Sequence, residues 1–387
     1  MHHDDENAEI PPELASSIGR FLEDSVQHIV KYQDAERYFA DLDDILKRSG
    51  VEAWFDPRFP FWAMGRSIWN AVPLPSRNFR CAPFPEPRRN DRCPCGSGKK
   101  YKRCCQPLQS EHTTHLADEM PVIHLAVSGF TLKQRQAAAK SAPAKVRLAV
   151  ASQELEERHP GKARNLLLAL LRKSSLEAEL QAEAVRLLGH AYDELGHLAA
   201  GEKAMNELVP QLTPLAASVA LNWLASRCLA DARPADALAH VLYAESLDPD
   251  SLVNGILKTG CLRDLGADAE AQRTAQAWLP VARELGDQEA IALLEEQASM
   301  ATPPPASDDG AGSLEADEEA EPPSDDLLSI FGAPDELLRP IAGLLKAACR
   351  HLPDVQSPRD SIQHIHPSIG YPNLPRILQV HLLRQRH

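Results

Sequence analysis

Ala235-Asp236-Ala237-Leu238-Ala239-His240-Val241-Leu242-Tyr243-Ala244-Glu245-Ser246-Leu247-Asp248-Pro249 sets the fold expected for the larger part of this 387-residue chain. Its apolar residues recur at helical spacing, which predicts a helix with a buried face. Small side chains at Ala237 and Ala244 let a second helix approach closely, and Pro249 closes the unit because it cannot continue the helix. Comparable units flank it. Leu188, Gly189, Tyr192, Gly196, Gly201, Met205, Leu208 and Pro214 precede it, displaced by about 36 residues, and Leu262, Gly266, Ala271, Ala275 and Trp278 follow at about 34. A half-matching hairpin with Ala163, Leu167 and Leu170 comes before them. From about residue 144 to 296 the chain is Ala- and Leu-rich with breaks every 15–18 residues. That interval predicts helical hairpins stacked into an array, so the fold class is mainly α.

The stretch 235–249 resembles the second half of a tetratricopeptide (TPR) repeat. Leu221, Leu224, Ala225 and Cys228 fit the first-helix positions, whereas Gly255, Lys258 and Thr259 depart from the repeat's usual residues. The resemblance implies a concave groove for peptides or protein partners. The alternative is a closed helical domain without a ligand groove.

Upstream, residues 11–48 read as one long amphipathic helix. Pro11-Pro12 starts it, Leu14, Ile18, Phe21, Leu22, Val26, Ile29, Val30, Ala35, Tyr38, Leu42, Ile45 and Leu46 form its stripe, and Gly50 stops it. Trp54, Phe55, Phe59, Phe61, Trp62 and Trp69 then predict a small core against that helix, the alternative being an exposed anchor for a partner. Residues 71–92 turn Pro- and Arg-rich and read as an extended tether.

Charge and composition exclude several function classes. The chain carries 41 Lys+Arg against 55 Asp+Glu, a net charge of −14, which argues against a nucleic-acid binder over its whole surface but leaves room for a local basic module. No apolar run is long enough to span a membrane. The polar, acidic N-terminus lacks the pattern of a secretory signal, so a soluble, cytoplasmic protein is expected.

Four of the eight cysteines fall within thirteen residues. The local sequence is Cys93-Pro94-Cys95-Gly96-Ser97-Gly98-Lys99-Lys100-Tyr101-Lys102-Arg103-Cys104-Cys105. In a reducing compartment such density points to metal before disulfides, since both Cys-x-Cys and adjacent Cys-Cys make strained links. Four thiolates can converge on one tetrahedral ion if the loop reverses, and Gly96 and Gly98 permit the left-handed angles that a reversal needs. The expected cofactor is therefore one structural Zn2+ held by Cys93, Cys95, Cys104 and Cys105. Four protein ligands leave no open position for catalysis. Gly-Ser-Gly-Lys-Lys is not a phosphate loop, because Cys93 stands where its first glycine belongs and Lys100 where Ser or Thr should be.

Residues 89–105 closely resemble the SEC-C motif, the small zinc module at the carboxyl end of the bacterial translocase ATPase SecA and of many other bacterial proteins. The resemblance implies structural zinc on the same four cysteines and a docking role, which in SecA involves a chaperone and the ribosome. Here the motif is internal and no ATPase motor accompanies it. From Arg77 to Arg103 there are nine basic residues against Glu86 and Asp91, a local balance of +7. Lys99, Lys100, Tyr101, Lys102 and Arg103, with Phe79 and Phe84 nearby, are the candidate partner-binding residues, facing an acidic protein surface or RNA phosphate. The alternative is that these lysines only balance the metal site and stay solvated.

The expected organisation is a helical segment at 1–75, the zinc module with its basic tether at 76–110, a connector at 111–143, the TPR-like repeats at 144–300, a disordered acidic linker at 301–326 and a C-terminal helical segment at 327–387. The function expected is that of a non-enzymatic adaptor, binding protein partners through the module and the groove and linked to ribosome, chaperone or protein export. RNA contact by the basic knob is the second reading. A third is a metal-dependent hydrolase at His364 and His366, whose His-x-His spacing puts both rings on one strand face, with Asp354 or Asp360 as third ligand.

Overall fold

A computed structural model describes residues 11–56, 59–112, 120–173 and 176–299. Among them the chain is mainly α, with fifteen α-helices, a few single 3-10 turns and no strand beyond two isolated bridges. The expected acidic linker, the C-terminal segment, and His364 and His366 lie outside the described residues. The chain divides into two compact units, one running to Glu157 and the other starting at Arg158.

The first unit holds α1 (Pro12–Tyr32), α2 (Ala35–Ser49), α3 (Phe61–Ala71), α4 (Cys105–His112), α5 (Met120–Ser128), α6 (Leu132–Ser141) and α7 (Ala144–Glu156). The single helix expected over 11–48 is in fact two. Gln33 takes a left-handed φ of 53° and ends α1, and the Asp34 side chain accepts from the Arg37 N–H at 3.1 Å to cap α2. The break folds α2 back on α1, which lets both apolar stripes face one core. Leu14, Phe21, Val26, Ile29, Tyr38 and Ile45 are wholly buried there. Gly50 stops α2 as the sequence predicted, with a left-handed φ of 71°.

The aromatic stretch is core rather than an exposed anchor. Phe55, Phe59, Trp62 and Trp69 are buried, Phe61 meets Phe21 edge-on at 6.4 Å, and Tyr38 stacks with Trp69 at 6.1 Å. Residues 111–143, expected as a connector, contain α5 and α6. Helix α5 buries Val122, Ile123, Leu125, Ala126 and Val127 and packs on α1 and α7.

The second unit holds α8 (Pro160–Lys173), α9 (Ala178–Leu195), α10 (Leu198–Leu208), α11 (Pro214–Ala230), α12 (Pro234–Leu247), α13 (Leu252–Asp264), α14 (Asp268–Leu285) and α15 (Gln288–Ser299). The helices of the second unit thus begin at Pro160. Helix α7, expected in the array, packs on α5 and α6 and belongs to the first unit. In the second unit each of these helices packs on its neighbour in sequence, while α9 also meets α11 and α11 also meets α13. Helix α11 is therefore enclosed, with Ala216, Ala220, Leu221, Trp223, Leu224, Ala225 and Cys228 all buried. Trp223 fixes the α9–α10–α11 junction. Its Nε1 donates to Asp193 at 3.0 Å, and its ring lies where a Cβ on Gly189 or Gly201 would come within 2.7 Å.

Candidate metal centre

The cysteine segment forms a small hairpin, and its backbone explains why. Asp91 turns the chain by accepting the Arg88 N–H on its side chain at 2.8 Å. Two short arms then pair through Lys102 N–H to Arg89 C=O (3.0 Å), Tyr101 N–H to Asp91 C=O (2.9 Å) and Cys93 N–H to Lys99 C=O (2.7 Å). Between them the chain reverses at Gly96 (φ 79°) and Gly98 (φ 70°), conformations that cost a residue with a Cβ roughly 1 kcal/mol or more. One 3-10 turn at Tyr101–Arg103 leads to Cys104, and α4 begins at Cys105. The loop therefore brings Cys93 and Cys95 to the start of α4, where Cys104 and Cys105 wait.

All four sulfurs lie within 4.8 Å of one another. Cys95 Sγ is 3.4 Å from Cys93 Sγ and 3.5 Å from Cys104 Sγ. Zn–S bonds of about 2.3 Å in a tetrahedron place sulfurs roughly 3.8 Å apart, so this spacing suits one such ion. The cysteines are free thiols, with Cys93 and Cys105 buried, Cys104 half-buried and Cys95 exposed. Burial pushes the Cys93 thiol up, and burial together with the sulfurs of Cys93 and Cys95 pushes Cys105 up. Cys95 moves the other way. Burial would raise it, but hydrogen bonds from the Ser97 hydroxyl and backbone N–H, aided by Cys93 and Cys104, bring it down to about 7. Gathering several thiolates is unfavourable without a cation, and a divalent ion reverses that balance by taking the place of the protons. The donor set fits a closed, structural zinc site, which these four residues would hold.

The hairpin is seated on the first unit. Tyr101, expected to face a partner, is instead wholly buried. Its ring meets Trp62 edge-on at 6.4 Å, and its hydroxyl donates to Glu86 Oε1 at 2.8 Å. The segment expected as a free tether runs along α3 in extended form, held by Trp69 Nε1–H to Ala82 C=O (2.7 Å), Arg66 Nε–H to Phe84 C=O (3.0 Å) and Phe84 N–H to Asn70 Oδ1 (2.6 Å). Phe79 is buried against Phe130, and Phe84 packs on Phe39 at 4.7 Å.

The cations lie outside this seat. Arg77, Arg80, Arg88, Arg89, Arg92, Lys99, Lys100 and Arg103 are exposed and Lys102 is half-buried. Among the described residues no ion pair involves any of the nine, although arginines such as Arg158, Arg233 and Arg283 pair with carboxylates. Sequence reasoning placed Trp62 in the core and counted Glu86 as a charge, but missed that these two seat Tyr101 and that Ser97 lies beside Cys104. None of them stands out by spacing, and their parts depend on three-dimensional approach.

Residues 89–107 match the SEC-C motif. Over 21 residues, 5% of this chain, the sequence is 76% identical to a UPF0225 protein of Serratia proteamaculans (strain 568). The matched stretch covers 14% of that relative, so the chain spans only a small part of its length. No solved structure matches the chain. Among the described residues no helix is long and apolar enough to cross a membrane. The class that fold and site define is a helical protein carrying a SEC-C motif with a cysteine cluster suited to zinc.

Proposed function

We propose that this protein is a non-enzymatic adaptor, in which zinc makes residues 89–105 a rigid cationic knob that docks on an acidic protein surface. The second unit's helix pairs, read as degenerate TPR-like repeats, offer a separate face for another partner. One observation carries the reading: nine basic side chains between Arg77 and Arg103, eight of them exposed and none in an ion pair among the described residues, in a chain of net charge −14. Charges that only balanced a metal site would not need to extend from Arg77 to Arg92, outside the cysteine loop. A rigid array of like charge raises association rate and selects partners of opposite potential. By resemblance to the SEC-C family the partner class is ribosome- or chaperone-associated, and the site of action cytoplasmic.

RNA phosphate would meet the same charge. Against it stands the burial of Tyr101 and Phe79 and the packing of Phe84, which removes the aromatic platform on which unpaired bases stack. The test is affinity capture from lysate with the zinc-loaded chain, comparing wild type, Lys99→Glu/Lys100→Glu and Cys104→Ala/Cys105→Ala. The expected result is a protein partner that survives nuclease treatment and is lost with both variants, while the charge variant keeps its zinc. Capture abolished by nuclease would replace the adaptor reading with the RNA one, and capture unaffected by either variant would remove the knob from the function.

A further inference from the structure

The hairpin holds like charges close together. Arg92 and Lys100 stand opposite one another across its two arms. The bonds that flank them, Cys93 N–H to Lys99 C=O and Tyr101 N–H to Asp91 C=O, make them a non-hydrogen-bonded pair. In such a pair the opposing Cα atoms are only about 4.5 Å apart, the closer of the two spacings in an antiparallel ladder, and like charges placed there repel. Both side chains are exposed, and among the described residues neither is in an ion pair. The acids of the same stretch are engaged elsewhere, Glu86 with the Tyr101 hydroxyl and Asp91 with the Arg88 N–H. A run of carboxylates laid across the arms would relieve the repulsion.

The opposite charge is concentrated in one run of the sequence. Residues 308–326 hold nine Asp and Glu and no Lys or Arg, with Asp317, Glu318, Glu319 and Glu321 at the centre. Those nine supply most of the chain's excess of fourteen negative charges. Apart from Leu314, the other residues of the run are Gly, Ala, Ser and Pro, so charge is what it can offer a surface. We propose that residues 308–326 of the same chain dock on the cationic face of the hairpin and mask it until an outside acidic partner displaces them. This rests on the adaptor reading above, in which that face takes carboxylates. A segment joined to the same chain acts at an effective concentration on the order of millimolar, so several weak contacts suffice to hold it. The mask sets a threshold: a sparse acidic surface loses the competition, and a denser or better placed array of carboxylates wins it.

The experiment uses full-length, zinc-loaded protein. Wild type is treated with a carbodiimide, which joins lysine to carboxylate where the two touch, and the linked peptides are read by mass spectrometry. Links from residues 308–326 are expected to concentrate on Lys99, Lys100 and Lys102 over the exposed Lys47 and Lys162. In a mixture of isotope-labelled and unlabelled protein they are expected within one copy. Links spread evenly over the lysines, or formed between copies, overturn the proposal. A second arm changes each Asp of 308–326 to Asn and each Glu to Gln and titrates that chain with a fluorescent oligoglutamate peptide. Binding is expected to be about tenfold tighter than in wild type, equivalent to about 1.4 kcal/mol, a size that two or three exposed ion pairs supply. The gap should close near 1 M salt, where the screening length is about 3 Å. Binding within twofold of wild type overturns the mask. If adding Lys99→Glu/Lys100→Glu to the neutralised chain leaves the peptide's affinity unchanged, it is the adaptor reading that fails, which keeps the two failures distinct.

Discussion

Replacing Tyr101 tests whether the hairpin and the first unit are one cooperative body. Its ring is wholly buried, edge-on to Trp62, and only its hydroxyl reaches outward, to the exposed Glu86. Tyr101→Phe keeps the ring and loses one hydrogen bond to an exposed carboxylate, a cost of about 1 kcal/mol or less. Tyr101→Ala removes the ring and leaves a cavity, which for large aromatics costs about 3–5 kcal/mol. The two variants should therefore differ by about 2 kcal/mol or more. Amide hydrogen exchange with zinc bound reads this separately in each unit. Slow amides of α1–α3 should exchange about 30-fold or more faster in Tyr101→Ala than in Tyr101→Phe, which at 1.4 kcal/mol per tenfold matches that difference, while α11 stays unchanged. If the two variants exchange within threefold of each other across α1–α3, Tyr101 does not join the hairpin to those helices and the argument fails.

Two further outcomes follow from named contacts. Burial holds the His28 imidazole below its ordinary 6.5, against the pull of Asp41 3.5 Å away. The unfolded chain therefore takes up that proton first, so the first unit should lose stability as pH falls below 6.5, and His28→Gln should show a shallower loss in denaturant midpoints across that range. In the second unit, Gly189→Ala would put a Cβ 2.7 Å from Trp223 Cδ1, on a ring already tethered to Asp193. Thermal unfolding should show a loss of about 1–3 kcal/mol from overpacking, whereas Gly260→Ala, with no atom within 4 Å of its Cβ, should gain up to about 1 kcal/mol; equal shifts for both would remove the close-approach account.

What the sequence disclosed and what it hid divide along physical lines. Helix content was legible because apolar spacing is a local signal, and the cysteine set was legible because thiolates at that density fit one ion. The break at Gln33 was hidden, since the apolar stripe continues in register across it, and only Asp34 as a cap with Arg37 three residues on marks it. Tyr101 was misread as a surface residue because it sits between Lys100 and Lys102. Side chains on a 3-10 turn diverge, so neighbours in sequence can point to core and solvent in turn. Residues 71–92 looked like a tether because they have no periodicity, yet Ala82 and Phe84 are fastened to Trp69, Arg66 and Asn70, contacts no local pattern encodes.

The seat of Tyr101 bears on grafting. A cassette that could be cut out and spliced into another host would carry its own floor, whereas this hairpin rests on Trp62 and leans on Glu86, both outside residues 89–107. Excising the motif would take the sulfurs and leave the socket behind. A transplant meant to work elsewhere has to bring α3 and the strap of chain that crosses it.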